Sequence, residues 1–135
     1  NKIPEPKGSG TIYYVSTSGS DKNDGKSLSK PWKTINHAAG KAKAGDVVYI
    51  KAGNYGGENV VVSNSGTQKN PIKFIGYKNT PGDKPSLKRS LNGVSFRSSE
   101  MPLLKGGKGY AIKTSNKSYI ILKCISSQYL ISGSL

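Results

Sequence analysis

The order of elements over residues 13–55 constrains the fold more than any other feature of this sequence. A β-branched and aromatic segment at 12–16 predicts a strand, and a loop rich in Ser, Gly, Asp and Asn follows it over 17–29. Residues 31–43 predict one short amphipathic helix, and 47–51 predict a nearly continuous apolar strand. A single helix ahead of a series of strands can cover the open end of a stacked β-structure, whose bare edge would otherwise invite aggregation.

Three signals support the helix at 31–43. Pro31 suits its first turn, where a missing N–H costs nothing. Lys41 and Lys43 suit its last turn, where the helix dipole favours cations. Apolar residues recur at helical spacing along one face. This face consists of Trp32, Ile35, Ala39 and Ala42.

Beyond Gly53 the sequence changes to short apolar segments separated by Gly, Asn and Ser turns. Such a series favours a coiled β-solenoid. No strand–helix alternation follows the single helix, which argues against a doubly wound fold. A β-sandwich is the competing architecture, because its regular strand rhythm is met in part. Strands are predicted at 60–63, 72–77, 110–113 and 119–125, with a short apolar run at 101–104.

The charge balance is the strongest compositional signal. The chain carries 21 Lys+Arg against 7 Asp+Glu, a formal net charge of +14. Such a field attracts polyanions, whether nucleic acid, an anionic membrane or an acidic polysaccharide. Only Arg89 and Arg97 are arginines, and recognition of base edges favours arginine, so the lysine excess argues against a sequence-specific nucleic-acid binder. A generally basic surface without a dedicated partner is the alternative interpretation.

A long, ordered set of motifs covers residues 13–55, and two more lie at 70–77 and 117–122. The first set is Val15-Ser16-Thr17, Gly19-Ser20-Asp21, Asp24-Gly25, Pro31-Trp32-Lys33-Thr34-Ile35, Ala38-Ala39, Ala44-Gly45-Asp46, Val47-Val48-Tyr49-Ile50 and Gly53-Asn54-Tyr55. Together they resemble the N-terminal part of the pectate-lyase-like right-handed parallel β-helix superfamily. The resemblance implies an all-β fold: a right-handed parallel β-helix (solenoid) with an N-terminal helical cap and its first few coils, truncated before the later ones. We expect residues 1–10 to be a flexible arm and 11–135 to be a single β-helix domain.

Many members of that superfamily act on acidic polysaccharides, among them pectate lyases, alginate lyases and chondroitinase-B-like enzymes. The resemblance therefore implies a fragment of an extracellular polysaccharide-active protein, lyase-like toward an acidic (uronate) glycan. Its catalytic coils would lie further along than this chain reaches, so we expect no catalysis by the chain alone. A non-catalytic acidic-glycan-binding or adhesion module is the alternative, and a nucleic-acid binder is a weaker third.

The same reasoning gives expectations about location and partners. We expect a secreted or cell-surface/periplasmic protein, although no signal peptide is visible in the sequence. No window has the roughly 18 apolar residues that a membrane span requires, so we expect no membrane partner. The last coil would present an open edge, and pairing with a second copy would cover it. We therefore expect a homo-oligomer, most simply a two-fold dimer.

The candidate metal ligands are Asp21, Asn23 and Asp24. Their spacing differs from that of an EF-hand loop, and the bidentate Glu is missing. An Asx-rich turn is therefore the favoured interpretation, with calcium as the alternative. No residue matches a catalytic motif position, so no catalytic residue is assigned, and no cofactor other than this calcium is considered.

Other residue types favour structural roles. His37 is the single histidine and has no partner at ligand spacing, and Cys124 lies in an apolar run. Trp32 is expected in the core, and the glycine-rich segment 106–109 is interpreted as a turn because it lacks the spacing of a phosphate-binding loop. Tyrosines offer faces on which sugars can stack, although alternation in strands buries about half of them. These are Tyr13, Tyr14, Tyr49, Tyr55, Tyr77, Tyr110, Tyr119 and Tyr129.

Overall fold

The computed structural model describes residues 10–85, 89–90, 93–94, 101–104, 111–127 and 132–133. One helix and a series of short strands make up this part of the chain. They are β1 Ile12–Val15, α1 Ile35–Lys41, β2 Val47–Lys51, β3 Gly53–Asn54, β4 Val60–Val61, β5 Ile72–Tyr77, β6 Arg89–Ser90, β7 Gly93–Val94, β8 Pro102–Leu104, β9 Ile112–Thr114, β10 Ile120–Lys123, β11 Ser126–Ser127 and β12 Ser132–Gly133.

Three parallel sheets form the body of the molecule. Their strand orders are β1-β2-β5-β10, β3-β8-β11 and β4-β9-β12, and every neighbouring pair in them is parallel. The chain visits the sheets in turn, as β2-β3-β4, then β5-β8-β9, then β10-β11-β12. It therefore winds through three successive coils of a parallel β-helix, which confirms the predicted fold class.

Side chains that alternate inward along the first sheet form the core of the coil. Val48 pairs with Phe74, and Phe74 pairs with Leu122 of the next coil. Val48 and Phe74 are buried, and they pack in one cluster with Leu104 of the second sheet and Ile112 of the third. Each coil thus stacks apolar residues on those of its neighbour, so no coil could bury its own core alone.

The helix is shorter than the sequence pattern predicts. Thr34, just before it, is extended (φ −111°, ψ 144°), and its hydroxyl accepts a hydrogen bond from the N–H of His37. Trp32 forms a parallel bridge with Val15, so the predicted first turn is instead paired with a strand. At the other end the N–H of Lys43 donates to the carboxylate of Asp46 at 2.8 Å, which holds the chain out of the helix. Strand pairing at the first end and a side-chain hydrogen bond at the second have overridden helix propensity.

On the first and third sheets the chain itself covers the outer edge of the first coil. On the first sheet, the N–H of Tyr14 donates to the carbonyl of Gly25 at 2.7 Å, and the N–H of Trp32 donates to the carbonyl of Tyr14. On the third sheet, the N–H of Val61 donates to the side chain of Asn36 in α1 at 2.9 Å. Loop and helix therefore satisfy an edge that would otherwise be open to pairing, as expected of a cap.

The apolar strands β2 and β5 coincide with the predicted segments. The strands β3, β11 and β12 escaped prediction because each is a polar or glycine-containing pair of residues. An antiparallel hairpin, β6–β7, lies between β5 and β8 and accounts for the irregular spacing of the predicted strands. Residues 1–9 of the predicted arm and the glycine-rich segment 106–109 lie outside the described residues. Within the described ranges, no helix has both the length and the apolar character needed to cross a bilayer.

Candidate functional site

The carboxylate of Asp21 holds the segment that leads into the helix. Its Oδ1 accepts hydrogen bonds from the N–H groups of Lys33 at 2.9 Å and Thr34 at 3.0 Å. Its Oδ2 accepts one from the Thr34 hydroxyl at 2.8 Å. Burial alone would raise the pKa of Asp21, but these hydrogen bonds together hold the pKa below its usual value of 3.8. The Asp21 carboxylate is therefore ionised and structurally engaged.

The neighbouring residues of the same loop surround Trp32. The side-chain amide of Asn23 donates to the carbonyl of Pro31 at 2.8 Å, and the backbone carbonyl of Asn23 accepts from the indole N–H of Trp32 at 2.7 Å. Gly25 has φ +71°, and a Cβ there would lie 2.6 Å from the indole ring. Only glycine fits, because both the backbone angle and the ring exclude a side chain. This explains why the Asp24-Gly25 and Pro31-Trp32 motifs occur together.

The predicted calcium candidates Asp21, Asn23 and Asp24 therefore hold backbone groups of their own loop. Asp24 accepts from the N–H of Lys26 at 3.0 Å, which is the geometry of an Asx turn. In the part of the chain that the structure describes, no group of three or more His, Cys, Asp or Glu residues could hold a metal ion. The donor set fits a turn better than a calcium site, and calcium stays the alternative interpretation.

Glu58 caps the helix from a distant loop. Its carboxylate accepts from the N–H groups of Ile35 at 3.1 Å and Asn36 at 2.8 Å, at the end of the helix where a negative charge is favourable. Burial raises the pKa of Glu58, although both hydrogen bonds oppose this. Nothing in the sequence marks Glu58 as a cap, because the contact depends on how the first coil closes.

The remaining described carboxylates behave in the same way. Asp46 accepts from the N–H groups of Thr11 at 2.7 Å and Lys43 at 2.8 Å. Asp83 accepts from three consecutive N–H groups, those of residues 78–80. All five carboxylates within the described ranges thus bind backbone amides.

A row of tyrosines runs along the outer side of the first sheet. Tyr14 and Tyr49 stack with their ring centroids 6.0 Å apart at 18°. Tyr49 and Tyr77 meet edge to face at 6.3 Å. Tyr14 and Tyr49 are partly exposed, whereas Tyr77 is buried and burial raises its pKa. The row crosses three strands because these residues occupy outward positions of β1, β2 and β5.

Exposed lysines lie in register with this row. Lys51 pairs with Tyr77, and Lys123 pairs with Ile75, whose other neighbour is Tyr49. We call these outward residues the tyrosine–lysine face: Tyr14, Tyr49, Lys51, Tyr77 and Lys123. Aromatic rings can stack on the C–H surface of a sugar, and ammonium groups can pair with its carboxylate. Sequence reasoning found the tyrosines and the lysines but could not place them on one surface.

The other candidates occupy structural positions. Trp32 is buried as predicted, with 4% of its surface exposed. His37 is half-buried and meets the Trp32 ring edge-on at 4.7 Å. Cys124 is half-buried, and burial raises the pKa of its thiol. Tyr110 and Tyr129 lie outside the described residues.

Comparison with known proteins gives the same architecture. A family model described as "Pel9A-like, right handed beta helix region" matches residues 13–129. Uncharacterized protein YwoF of Bacillus subtilis (strain 168) is 47% identical over 73 residues, which cover 54% of this chain and 15% of YwoF. The chain therefore spans a small part of the curated relative that it matches.

Solved structures align with most of the chain. A structure described as "The complex structure of XylC with xylose" is 28% identical with a TM-score of 0.50, over 71% of this chain and 12% of that one. A rhamnogalacturonan lyase is 24% identical with a TM-score of 0.58, and the alignment covers 87% of this chain and 28% of that one. A lacto-N-biosidase from Eubacterium ramulus is 19% identical with a TM-score of 0.61, and the alignment covers 93% of this chain and 21% of that one. The last two likenesses concern the fold alone.

Proposed function

Because the chain belongs to the Pel9A-like right-handed β-helix family, we propose that it forms the cap and first coils of an extracellular polysaccharide-active protein that binds an acidic (uronate) glycan. The family match confirms the predicted resemblance and the right-handed parallel β-helix. Catalysis, lyase-like in kind, would belong to later coils, since the chain covers 15% of YwoF. In the parent protein, the role of this chain would be to bind the glycan.

The tyrosine–lysine face is the observation that supports this proposal. Partly exposed Tyr14 and Tyr49 share the outward side of one sheet with the exposed residues Lys51 and Lys123. A uronate offers both an apolar ring face and a carboxylate, so it matches both kinds of side chain. The formal net charge of +14 adds long-range attraction for a polyanion.

The experiment separates binding from catalysis. The chain is incubated with polygalacturonate, alginate, chondroitin and heparin, while ultraviolet absorbance reports unsaturated uronate and immobilised glycan reports retention. We expect salt-sensitive retention without product. Product from any glycan would show that these coils suffice for a lyase. If the chain bound none of the acidic glycans at low salt, the proposal would be contradicted.

A pair of charge-matched variants tests the face itself. Lys51→Glu combined with Lys123→Glu should release the chain from immobilised glycan at lower salt than the wild type. Lys30→Glu combined with Lys69→Glu changes the net charge equally at exposed positions outside the face. If both variants elute together, the retention comes from overall charge and not from this surface. Stronger retention of DNA or RNA than of glycan at equal charge, with a steep salt dependence, would favour the weaker alternative of a nucleic-acid binder.

The alternative function, a non-catalytic adhesion module, uses the same face. This alternative differs from the first proposal because the whole parent protein, and not only this chain, would release no product from the glycan.

We further propose a secreted or cell-surface/periplasmic location, because such glycans lie outside the cell. We also propose a homo-oligomer that forms through the edge of the third coil. In the chain taken by itself, β10, β11 and β12 end the strand orders of their described sheets, so this is the edge on which a second copy of the chain would pair.

A further inference from the structure

The capped end of the coil contains a concave site separate from the tyrosine–lysine face. Its volume is about 740 Å³, within the range of ligand pockets. The site is open to solvent, and it is lined by the loop that carries Asp21 and Asp24, by residues of α1 and by the turn before β2. We call this site the cap cleft. It shares no residue with the tyrosine–lysine face, so the two can take different ligands.

Aromatic side chains line the cap cleft. The rings of Tyr13 and Trp32 stack with centroids 4.6 Å apart at 21°, and His37 meets Trp32 edge-on. The indole N–H of Trp32 is already bonded to the carbonyl of Asn23. Trp32 is buried and Tyr13 is half-buried, so Tyr13 contributes the accessible ring while Trp32 supports it. This pair forms a rigid apolar platform.

The charges around the platform are balanced. Three lysines, at positions 26, 41 and 43, line the cleft together with three carboxylates, at positions 21, 24 and 46. The rest of the molecule is strongly basic, with a formal net charge of +14 for the chain. A polyanion therefore gains little net attraction inside the cleft itself. Hydroxyl groups, in contrast, can accept from ammonium groups and can donate to carboxylate oxygens, which can each accept more than one hydrogen bond.

We propose that the cap cleft binds a neutral saccharide unit, with a sugar ring against Tyr13 and its hydroxyls among the charged side chains. A flat apolar platform surrounded by both donors and acceptors is complementary to an uncharged pyranose. The volume accommodates a unit of one or two sugar rings. This site goes beyond the acidic-glycan binding proposed for the outer sheet, and its ligand class differs.

The test uses Trp32, which is the single tryptophan of the sequence. Its indole N–H gives one isolated NMR signal, and calorimetry gives the affinity in the same samples. The probes are methyl β-galactoside, cellobiose and lactose, with trigalacturonate as the acidic comparison. We expect at least one neutral probe to shift the indole signal saturably, and we expect added salt to leave its affinity unchanged because the probe is uncharged.

Matched variants locate the binding. Lys41→Ala removes one exposed hydrogen-bond donor from the cleft, and we expect it to lower the affinity for the neutral probe by about five- to tenfold. Lys69→Ala, exposed and outside the cleft, should leave the affinity unchanged. Tyr13→Leu should abolish binding while thermal unfolding by circular dichroism verifies that the fold persists. Lys51→Glu should weaken retention on acidic glycan but leave the neutral probe unaffected, so the two proposals fail independently.

Three results would overturn the inference. One is the absence of any saturable response by either method with every neutral probe. The second is an equal loss of affinity in Lys41→Ala and Lys69→Ala. The third is a response to trigalacturonate alone that disappears at high salt, which would make the cleft an anion site.

Discussion

The carboxylate of Glu58 binds the first two backbone N–H groups of the helix, and its contact with Ile35 joins residues 23 positions apart in the chain. The loop between β3 and β4 is thereby tied to the helix that covers the coil. These two hydrogen bonds thus join the cap to the first coil.

Removal of this contact should destabilise the cap. We expect Glu58→Ala to lower the free energy of unfolding by about 1–2 kcal/mol, because two helix N–H groups lose their acceptor. Glu58→Gln should recover part of the loss, since its amide oxygen can still accept. Urea unfolding measures both. Asp24→Ala, at an exposed turn, is the control and should cost less; an equal cost would mean that Glu58 is not a cap.

Gly76 lies against the carbonyl of Cys124 in the next coil, and a Cβ at Gly76 would overlap that oxygen. We expect Gly76→Ala to destabilise the chain by about 1–3 kcal/mol, because two coils must separate locally. Gly40→Ala is the matched control, since a Cβ there meets only Ser63 Oγ at 3.8 Å. Because Gly40 lies within the helix, Gly40→Ala should raise the free energy of unfolding by about 0.5–1 kcal/mol. Similar thermal midpoints for both variants would contradict the close approach.

Asp21 should contribute to stability in a defined pH range. Its folded pKa lies below 3.8, so its contribution is present above that pH and is lost as the pH falls through the folded value. The folded pKa of Glu58 is raised above 4.5, so its ionisation lowers the free energy of unfolding as the pH rises above 4.5 through the folded value. Urea unfolding of the wild type and of Asp21→Asn over this range should show a shallower acid decline in the variant. Parallel curves would assign the decline to other groups.

Calcium should leave the thermal midpoint unchanged. The carboxylates of Asp21 and Asp24 and the amide of Asn23 are already engaged by loop N–H and carbonyl groups. Thermal unfolding with calcium chloride and with a chelator checks this. A calcium-dependent rise that Asp24→Asn abolishes would instead establish the site.

The third coil should mediate self-association. Leu122 is half-buried, whereas Phe74, its partner in the middle coil, has 2% of its surface exposed. Light scattering after size exclusion should therefore show a dimer for the wild type and a monomer for Leu122→Lys. Ile121→Lys, at an outward position of the same strand, should remain dimeric, with circular dichroism verifying the fold of each variant. A monomeric wild type at every concentration would contradict the proposed dimer.

Much of the local structure was predictable. The strands Val47–Lys51 and Ile72–Tyr77 follow from continuous or alternating apolar residues, which mark strands wherever the chain places them. Strands such as Ser126–Ser127 carry no such mark, because two polar residues become a strand only when a neighbouring coil supplies the hydrogen bonds. The helix lost its predicted first turn for the same reason: Trp32 pairs with Val15.

The sequence by itself determined the class of fold, the helical cap and the excess of lysine, because these depend on local pattern and composition. Tertiary structure alone decided the roles of Glu58 and Gly76, and it alone brought Lys51 beside Tyr77. These relationships join residues that are distant in sequence through parallel strand pairing, and parallel pairs form only across long connections. Their register depends on how whole coils stack, which no local pattern records.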